Sequence, residues 1–246
     1  MNNKQNDTQN IKKNTKSSVI YRTDRWYSKF IRVVGKFLMK FFWTTKIYFK
    51  DRAITDKKAI YICNHYSIYD SNPIISRVLP PKSNVLFKSD ICEVMSFLIQ
   101  QVGGIPINRD SSDITAVKKV LKVLANNEQI LIFPEGSVNP HDIKQLLPFK
   151  EGVSSFAIKS KCAIVPMMYY RKPKLFRRNR LMIGQPFYLD EFYDDKSPDA
   201  RKRATDYIYR KMLELRHDLD YFVEMLDCDI QKFQIYLQNK GDVCVY

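Results

Sequence analysis

The chain has 246 residues, enough for one well-packed domain or at most two small ones, and a formal net charge of +15. That charge favours anionic partners: phospholipid head groups, nucleic acid or phosphorylated substrates. No uninterrupted run of about 18 apolar residues occurs, which excludes a predicted membrane-spanning helix, and residues 1–25 lack the apolar run of a secretory signal. The five Cys have no CxxC spacing, so we expect no metal site, and reduced core thiols in a cytosolic setting.

The first 50 residues fall into two parts of opposite character. Residues 1–25 are polar and basic, and we predict a disordered tail. Residues 26–50 are rich in aromatic and aliphatic side chains, and four cations interrupt them at the spacing of one helical face: Lys29, Arg32, Lys36 and Lys40. This pattern predicts a basic amphipathic helix that lies in a membrane interface, with its rings at the acyl boundary and its cations on head groups. The alternative is an ordinary helix that packs on the domain core.

Residues 51–246 are predicted to form a single domain in which strand-like and helix-like segments alternate. The predicted strands cover residues 59–63, 84–87, 129–133, 163–169 and 180–183. The predicted helices cover residues 70–77, 91–101, 114–125, 153–159, 199–219 and 221–246. Such alternation is typical of an α/β fold, with a central mostly parallel or mixed sheet covered by helices. Sites in such sheets gather at the ends of the strands.

One pair of side chains stands where the first of these strands ends. His65 follows the apolar run 59–63 almost directly, and Asp70 comes five positions later. Five residues of continuous helix would put the two side chains on different faces, so they meet only if the chain turns between them. Asn64 and Ser67 favour such a turn. A carboxylate that fixes the tautomer of His65 makes this histidine a possible general base, although a His and an Asp at this spacing also arise by chance.

Three further segments follow in order: residues 103–109 (GGIPINR), 132–137 (IFPEGS) and 164–167 (IVPM). Together with residues 64–70 (NHYSIYD) they resemble the four sequence blocks of the glycerolipid acyltransferases, above all the 1-acylglycerol-3-phosphate (lysophosphatidic acid) acyltransferase family. The likeness covers residues 57–186. Two positions depart from the usual pattern, because Ser137 stands where the family has Thr, and Met167 where Val is common.

The resemblance implies a role for each block. His65 and Asp70 would be catalytic, Arg109 would hold the acceptor phosphate, and Glu135, Gly136 and Ser137 would help to bind the acceptor. A guanidinium suits a phosphate because it binds two oxygens at once. The alternative for Arg109 is an exposed ion pair with Asp110 or Asp113. Lys88 matches a family lysine near the second block and is expected to bind substrate, although a solvated surface lysine explains it equally well.

The function that the resemblance implies is transfer of an acyl group from acyl-CoA or acyl carrier protein to the free hydroxyl of 1-acylglycerol-3-phosphate. No bound cofactor and no nucleic acid partner are expected. The protein would be peripheral on the cytoplasmic face of an anionic cell membrane. The alternatives are acylation of glycerol-3-phosphate or another lysolipid, and a basic membrane-binding protein without catalysis. The cationic segment 171–180 (RKPKLFRRNR) remains open as a solvated loop, a membrane contact or a site for the phosphates of CoA.

Overall fold

The computed structural model describes residues 26–54, 56–80, 83–90, 94, 96, 99–100, 103–108, 113–139 and 145–226. Its helices are α1 (Trp26–Phe42), α2 (Ser71–Arg77), α3 (Ile114–Ala125), α4 (Gly152–Ser160) and α5 (Ala200–Met225). Its strands are β1 (Thr45–Tyr48), β2 (Ala59–Cys63), β3 (Asn84–Lys88), β4 (Gly104–Ile107), β5 (Gln129–Ile132), β6 (Ala163–Tyr169) and β7 (Asn179–Ile183).

The seven described strands form one sheet in the order β1-β7-β6-β2-β5-β3-β4. Every neighbouring pair is parallel except β6 with β7. Strand β2 lies in the middle, and all five of its residues are buried. A continuous apolar run is what a strand covered on both faces requires. The prediction of a central, mostly parallel sheet covered by helices is confirmed.

Each face of the sheet has its own apolar core, because successive side chains of a strand point to opposite faces. Ile60 and Ile62 of β2 belong to the core under α3, α4 and α5. Tyr61 and Cys63 belong to the opposite core, which is closed by α2 through the fully buried Ile74. Helix α1 lies beside α2 on that second face.

Several predicted elements have the predicted bounds, and two segments were predicted incorrectly. The bounds of β2, α3 and β6 are those predicted. The N-terminal helix, however, ends at Phe42, and residues 45–48 form the edge strand β1, which pairs in parallel with β7. Strand β4 was not predicted, because Gly104 and Pro106 weaken a strand pattern; Pro106 is tolerated there because β4 is the outer strand of the described sheet.

Two other predictions lie partly or wholly outside the described residues. Helix α5 continues to Met225, past the predicted end at residue 219, and the predicted helix 221–246 lies outside the description beyond residue 226. Most of the predicted helix 91–101 also lies outside it. Within the described part of the chain, no helix combines the length and the apolar character that crossing a bilayer requires.

Candidate active site

His65 and Asp70 come together in a tight turn between the end of β2 and the start of α2. The Asp70 N–H donates to the Ser67 carbonyl (3.0 Å), which closes the turn and sets Asp70 at the N-terminus of the helix. One carboxylate oxygen, Oδ2, accepts from the Tyr66 N–H at 2.5 Å and the Ser67 N–H at 2.7 Å, and it lies 3.2 Å from Nδ1 of His65. The predicted meeting of these two side chains across a turn is therefore what the fold produces.

This arrangement leaves His65 with one free ring nitrogen. Asp70 is completely buried, and its contact with Nδ1 favours the tautomer with a proton on that nitrogen. The imidazole stacks on the Phe133 ring, with centroids 4.1 Å apart and planes at 19°, so the ring cannot rotate without losing that contact. Among the described residues, none hydrogen-bonds to Nε2. That atom can take a proton from a substrate hydroxyl.

Glu135 holds the histidine from the opposite side of the turn. It follows β5, the parallel neighbour of β2, so both strands end at the same edge of the sheet. Its Oε1 accepts from the His65 N–H (2.9 Å), and its Oε2 accepts from the Leu147 N–H (3.0 Å). Burial raises the pKa of Glu135, and the two N–H donors partly offset that rise by favouring the carboxylate. Both oxygens are thus bonded within the protein, and a contact between Glu135 and an acceptor stays a prediction.

The loop after β5 wraps around the backbone of His65. Gly136 adopts φ 72°, and its N–H donates to the Phe133 carbonyl (3.1 Å); a side chain at this position would be strained and would press on Lys150. Ser137 follows with an exposed side chain. Further along, the Asn139 N–H donates to the His65 carbonyl at 2.7 Å. The loop that contains the segment predicted to bind the acceptor therefore fixes the main chain of the histidine.

The remaining predicted site residues stand farther from His65 or outside the description. Lys88 ends β3, two strands away from β2 and so about 10 Å across the sheet; its Nζ lies 2.5 Å from a carboxylate oxygen of Asp90. Arg109 lies outside the described residues. Asp113, its possible ion-pair partner, caps α3, since its carboxylate accepts from the N–H groups of Ala116 and Asn108.

Two residues that support the histidine turn, Tyr169 and Arg216, were missed by the sequence analysis, and the contact of Asn64 with Tyr169 was not predicted. The Asn64 amide accepts from the Tyr169 N–H (2.8 Å) and donates to the Tyr169 carbonyl (3.1 Å), and the Tyr169 hydroxyl donates to the Asp70 carbonyl (2.9 Å). The buried Arg216 of α5 donates to the Tyr66 hydroxyl (3.0 Å) and to the carbonyls of Tyr169 (3.1 Å) and Tyr170 (3.3 Å). Arg216 was detectable as a charge within the buried stripe of α5, which holds Met212, Leu215 and Leu219.

Arg216→Met is expected to lower kcat about ten- to a hundredfold with little change in either KM. The reason is that Tyr66, which sits between His65 and Ser67, loses a charged donor, and a small displacement of a catalytic group costs this much. Kinetics on protein that circular dichroism shows to be folded at the assay temperature make the measurement, and Arg216→Lys should recover part of the rate. Arg210→Met, an exposed change on the same helix, is the control. Equal losses in kcat for both Met variants would contradict this positioning role.

A histidine held by a buried carboxylate, at the end of a strand in a mostly parallel α/β sheet, has the arrangement that a general base requires. The family model described as Acyltransferase matches residues 44–170, which is more than half of the chain. The protein therefore belongs to the Acyltransferase family. His65, Asp70 and Glu135 lie inside the matched segment, and Arg216 lies outside it.

Individual proteins also resemble the chain. The 1-acyl-sn-glycerol-3-phosphate acyltransferase of Bacillus subtilis (strain 168) is 25% identical over 183 residues, which is 71% of this chain and 89% of that protein. The human 1-acyl-sn-glycerol-3-phosphate acyltransferase beta is 30% identical over 147 residues, but these cover only 56% of this chain and 51% of the human protein. The crystal structure of the 1-acyl-sn-glycerophosphate (LPA) acyltransferase PlsC from Thermotoga maritima shares the fold, with a TM-score of 0.58, 20% identity and coverage of 77% and 79% of the two chains.

Proposed function

We propose that this protein is a 1-acylglycerol-3-phosphate acyltransferase that makes phosphatidic acid at a membrane surface. The observation that carries the proposal is the contact between His65 and the buried carboxylate of Asp70, inside the segment that matches the Acyltransferase family. The relatives named above support the acceptor, because their names specify 1-acylglycerol-3-phosphate.

In the proposed reaction, Nε2 of His65 removes the proton from the free hydroxyl of the acceptor. The alkoxide oxygen attacks the thioester carbonyl, and collapse of the tetrahedral intermediate expels the thiolate, which takes the proton back from the imidazolium. Asp70 stabilises the imidazolium while it exists. No covalent acyl-enzyme is required if both substrates are bound together. The acceptor hydroxyl then lies next to the thioester and can attack it directly.

Acceptor choice tests this proposal directly. Purified protein in detergent would be given a labelled acyl thioester, once as acyl-CoA and once as acyl carrier protein, with either 1-acylglycerol-3-phosphate or glycerol-3-phosphate as acceptor. Labelled phosphatidic acid from one of the two donors is the expected product. Label appearing only on glycerol-3-phosphate would show that the protein catalyses a different acyltransferase reaction.

Arg109→Ala is expected to raise KM for the phosphorylated acceptor and to leave KM for the thioester donor nearly unchanged. Loss of a charged hydrogen bond to phosphate costs about 1.5–3 kcal/mol, which is roughly a 10- to 100-fold rise. Steady-state kinetics with each substrate varied in turn provide the measurement. An equal rise in KM for donor and acceptor would show that Arg109 does not bind the acceptor phosphate.

We further propose that the protein is peripheral on the cytoplasmic face of the membrane and that α1 lies in the interface. Support comes from the apolar side of α1: Phe30, Val33, Phe37 and Phe41 are each between 61% and 71% exposed. A helix that packed on the domain core would have buried these side chains. Exposed aromatic and aliphatic residues beside cations are typical of interfacial helices.

Reversal of Lys29, Arg32, Lys36 and Lys40 to Glu should release the protein from anionic vesicles at low salt. Each cation near such a surface contributes about 1 kcal/mol, so four reversals outweigh much of the apolar burial. Vesicle flotation measures the loss. Full flotation of the reversed protein would show that α1 is core structure, or that segment 171–180 and other surfaces dominate the attachment.

A further inference from the structure

The cationic segment 171–180 forms a turn that presents apolar side chains at its tip. It connects β6 to β7, and five consecutive residues, Lys174 to Arg178, are exposed. Phe176 is 73% exposed, the largest fraction of any large apolar side chain in the described part of the chain, and Leu175 beside it is exposed as well. A loop that served only solvation would have no reason to carry these two residues at its most exposed point.

Hydrogen bonds fix the turn at its base and at its tip. The buried Asn179 closes its base, because its side chain accepts from the Lys174 N–H (2.9 Å) and donates to the Lys174 carbonyl (3.1 Å). At the tip, Phe176 adopts φ 56°, a left-handed conformation that is unfavourable for an aromatic residue. The Phe176 N–H donates to the Phe42 carbonyl (2.9 Å), which ties this conformation to the end of α1. Backbone strain of this kind collects at functional positions.

The tip continues the apolar side of α1. The Phe176 ring meets the Phe42 ring edge-on at 5.4 Å, and the Phe42 ring meets the exposed Phe41 ring at the same distance. Leu175 and Phe176 therefore extend the surface that begins with the exposed aromatic residues of the helix. Two separate segments of the sequence form one apolar surface.

The end of α1 also contacts the histidine turn, which joins His65 to Asp70. The Trp43 ring, next after α1, lies 5.5 Å from the Tyr69 ring. Tyr69 and Ile68 are exposed and belong to the turn that joins His65 to Asp70. The buried Trp43 ring therefore connects the end of α1 to the exposed residues of the histidine turn.

Cations surround the tip. Arg171, Lys174, Arg177 and Arg178 are exposed, and residues 171–180 contain no acidic side chain. Exposed rings at a rigid tip, set among cations, complement a bilayer with anionic head groups: the rings enter the acyl boundary and the cations bind phosphates. Phosphates of CoA would satisfy the cations but would leave Leu175 and Phe176 in water.

We propose that the Leu175–Phe176 turn is a second membrane-insertion element, which acts with α1 to set the catalytic turn against an anionic bilayer. The inference rests on the proposed function at a membrane surface. Segment 171–180 then contacts lipid and is not a site for the phosphates of CoA. A membrane-resident acceptor would then reach His65 from the bilayer across Ile68 and Tyr69.

Flotation of the full chain on vesicles of equal parts phosphatidylglycerol and phosphatidylcholine tests the turn. Leu175→Ser combined with Phe176→Ser should lower partitioning at least about tenfold, because two large apolar side chains are no longer available for burial in the bilayer. Phe176→Trp keeps an interfacial ring and should float like the unchanged protein. Leu213→Ser removes an exposed leucine of α5, on the opposite face of the sheet, and is the matched control.

The charge and the apolar contributions can be separated. Arg177→Gln with Arg178→Gln should weaken flotation at low salt, and the difference from the unchanged protein should shrink at high salt. On phosphatidylcholine alone this pair should have little effect, while the Ser pair should still float less. Melting curves establish that each variant is folded, and Leu175→Ser alone serves if the Ser pair does not fold.

Two results would overturn the proposal. Undiminished flotation of folded Leu175→Ser/Phe176→Ser protein would exclude insertion of the tip. Unchanged flotation of Arg177→Gln/Arg178→Gln protein together with a raised KM for acyl-CoA in detergent would assign the cations to the donor. Transfer to a water-soluble short-chain acceptor is read separately: its absence in the unchanged protein refutes the proposed function, whereas flotation still reports on the turn.

Discussion

His65→Ala should lower the rate of acyl transfer by about 10²–10⁴-fold while the protein stays folded and still binds both substrates. The physical reason is that the ring nitrogen that would take the hydroxyl proton is lost, and neither neighbouring carboxylate is placed to replace it: both oxygens of Glu135 accept backbone N–H groups, and Asp70 is completely buried. A neutral hydroxyl is a poor nucleophile toward a thioester, so loss of the base acts on kcat.

His217→Ala is the matched control for this substitution. His217 also has an aspartate beside it, with Nδ1 3.8 Å from a carboxylate oxygen of Asp218, but it lies on α5 and its side chain is 70% exposed. This variant should keep nearly full activity. Near-normal turnover by folded His65→Ala protein would show that another group removes the proton.

Asp70→Asn is expected to cost nearly as much, about 10²–10⁴-fold in kcat, although the substituted side chain has the same shape. An amide oxygen in the place of Oδ2 can still accept from the N–H groups of Tyr66 and Ser67, so the turn is retained. The negative charge that stabilises the imidazolium of His65 is lost. The measurement is single-turnover transfer with saturating substrates, which isolates the chemical step.

Asp70→Ala separates charge from geometry. It leaves the two N–H groups without their acceptor, at a cost of about 1–3 kcal/mol for each buried donor, so the melting temperature should fall clearly below that of Asp70→Asn. If Asp70→Asn retained the full rate, the carboxylate would serve only to shape the turn.

The pattern of apolar residues was enough to predict the centre of the sheet. Strands β2 and β6 are buried on both faces. Such strands have short continuous apolar runs with turn-forming residues at their ends. The turn from His65 to Asp70 was also predictable. The strand stops just before His65, and the side chains of His65 and Asp70 can then meet only if the chain turns between them. These conclusions depend on residues that are close in sequence.

The features that were missed depend on pairing across the chain. Residues 45–48 continue the mixture of apolar and cationic residues of α1, and they form a strand because β7 offers them an edge to pair with. In the same way, Asn64 was interpreted only as a turn residue, whereas its amide pairs with the backbone of Tyr169, 105 positions away. Arg216 lies 150 positions from Tyr66, and no local signal connects the two.

Glu135 illustrates a further limit of sequence patterns. The block around it indicates where a site lies but not which atoms face the substrate. In the fold, its two oxygens bind the N–H groups of His65 and Leu147, so the residue secures the histidine turn from the neighbouring strand. The acceptor contact that the resemblance implies for it stays a prediction.

The most direct test of the central claim is to follow a labelled acyl group from its thioester in the presence of 1-acylglycerol-3-phosphate, with the unchanged protein and His65→Ala protein side by side. The account predicts labelled phosphatidic acid from the unchanged protein with at least one of the two donors, and a loss of about 10²–10⁴-fold in the variant. Absence of labelled phosphatidic acid with both donors, or equal rates for the two proteins, would contradict it.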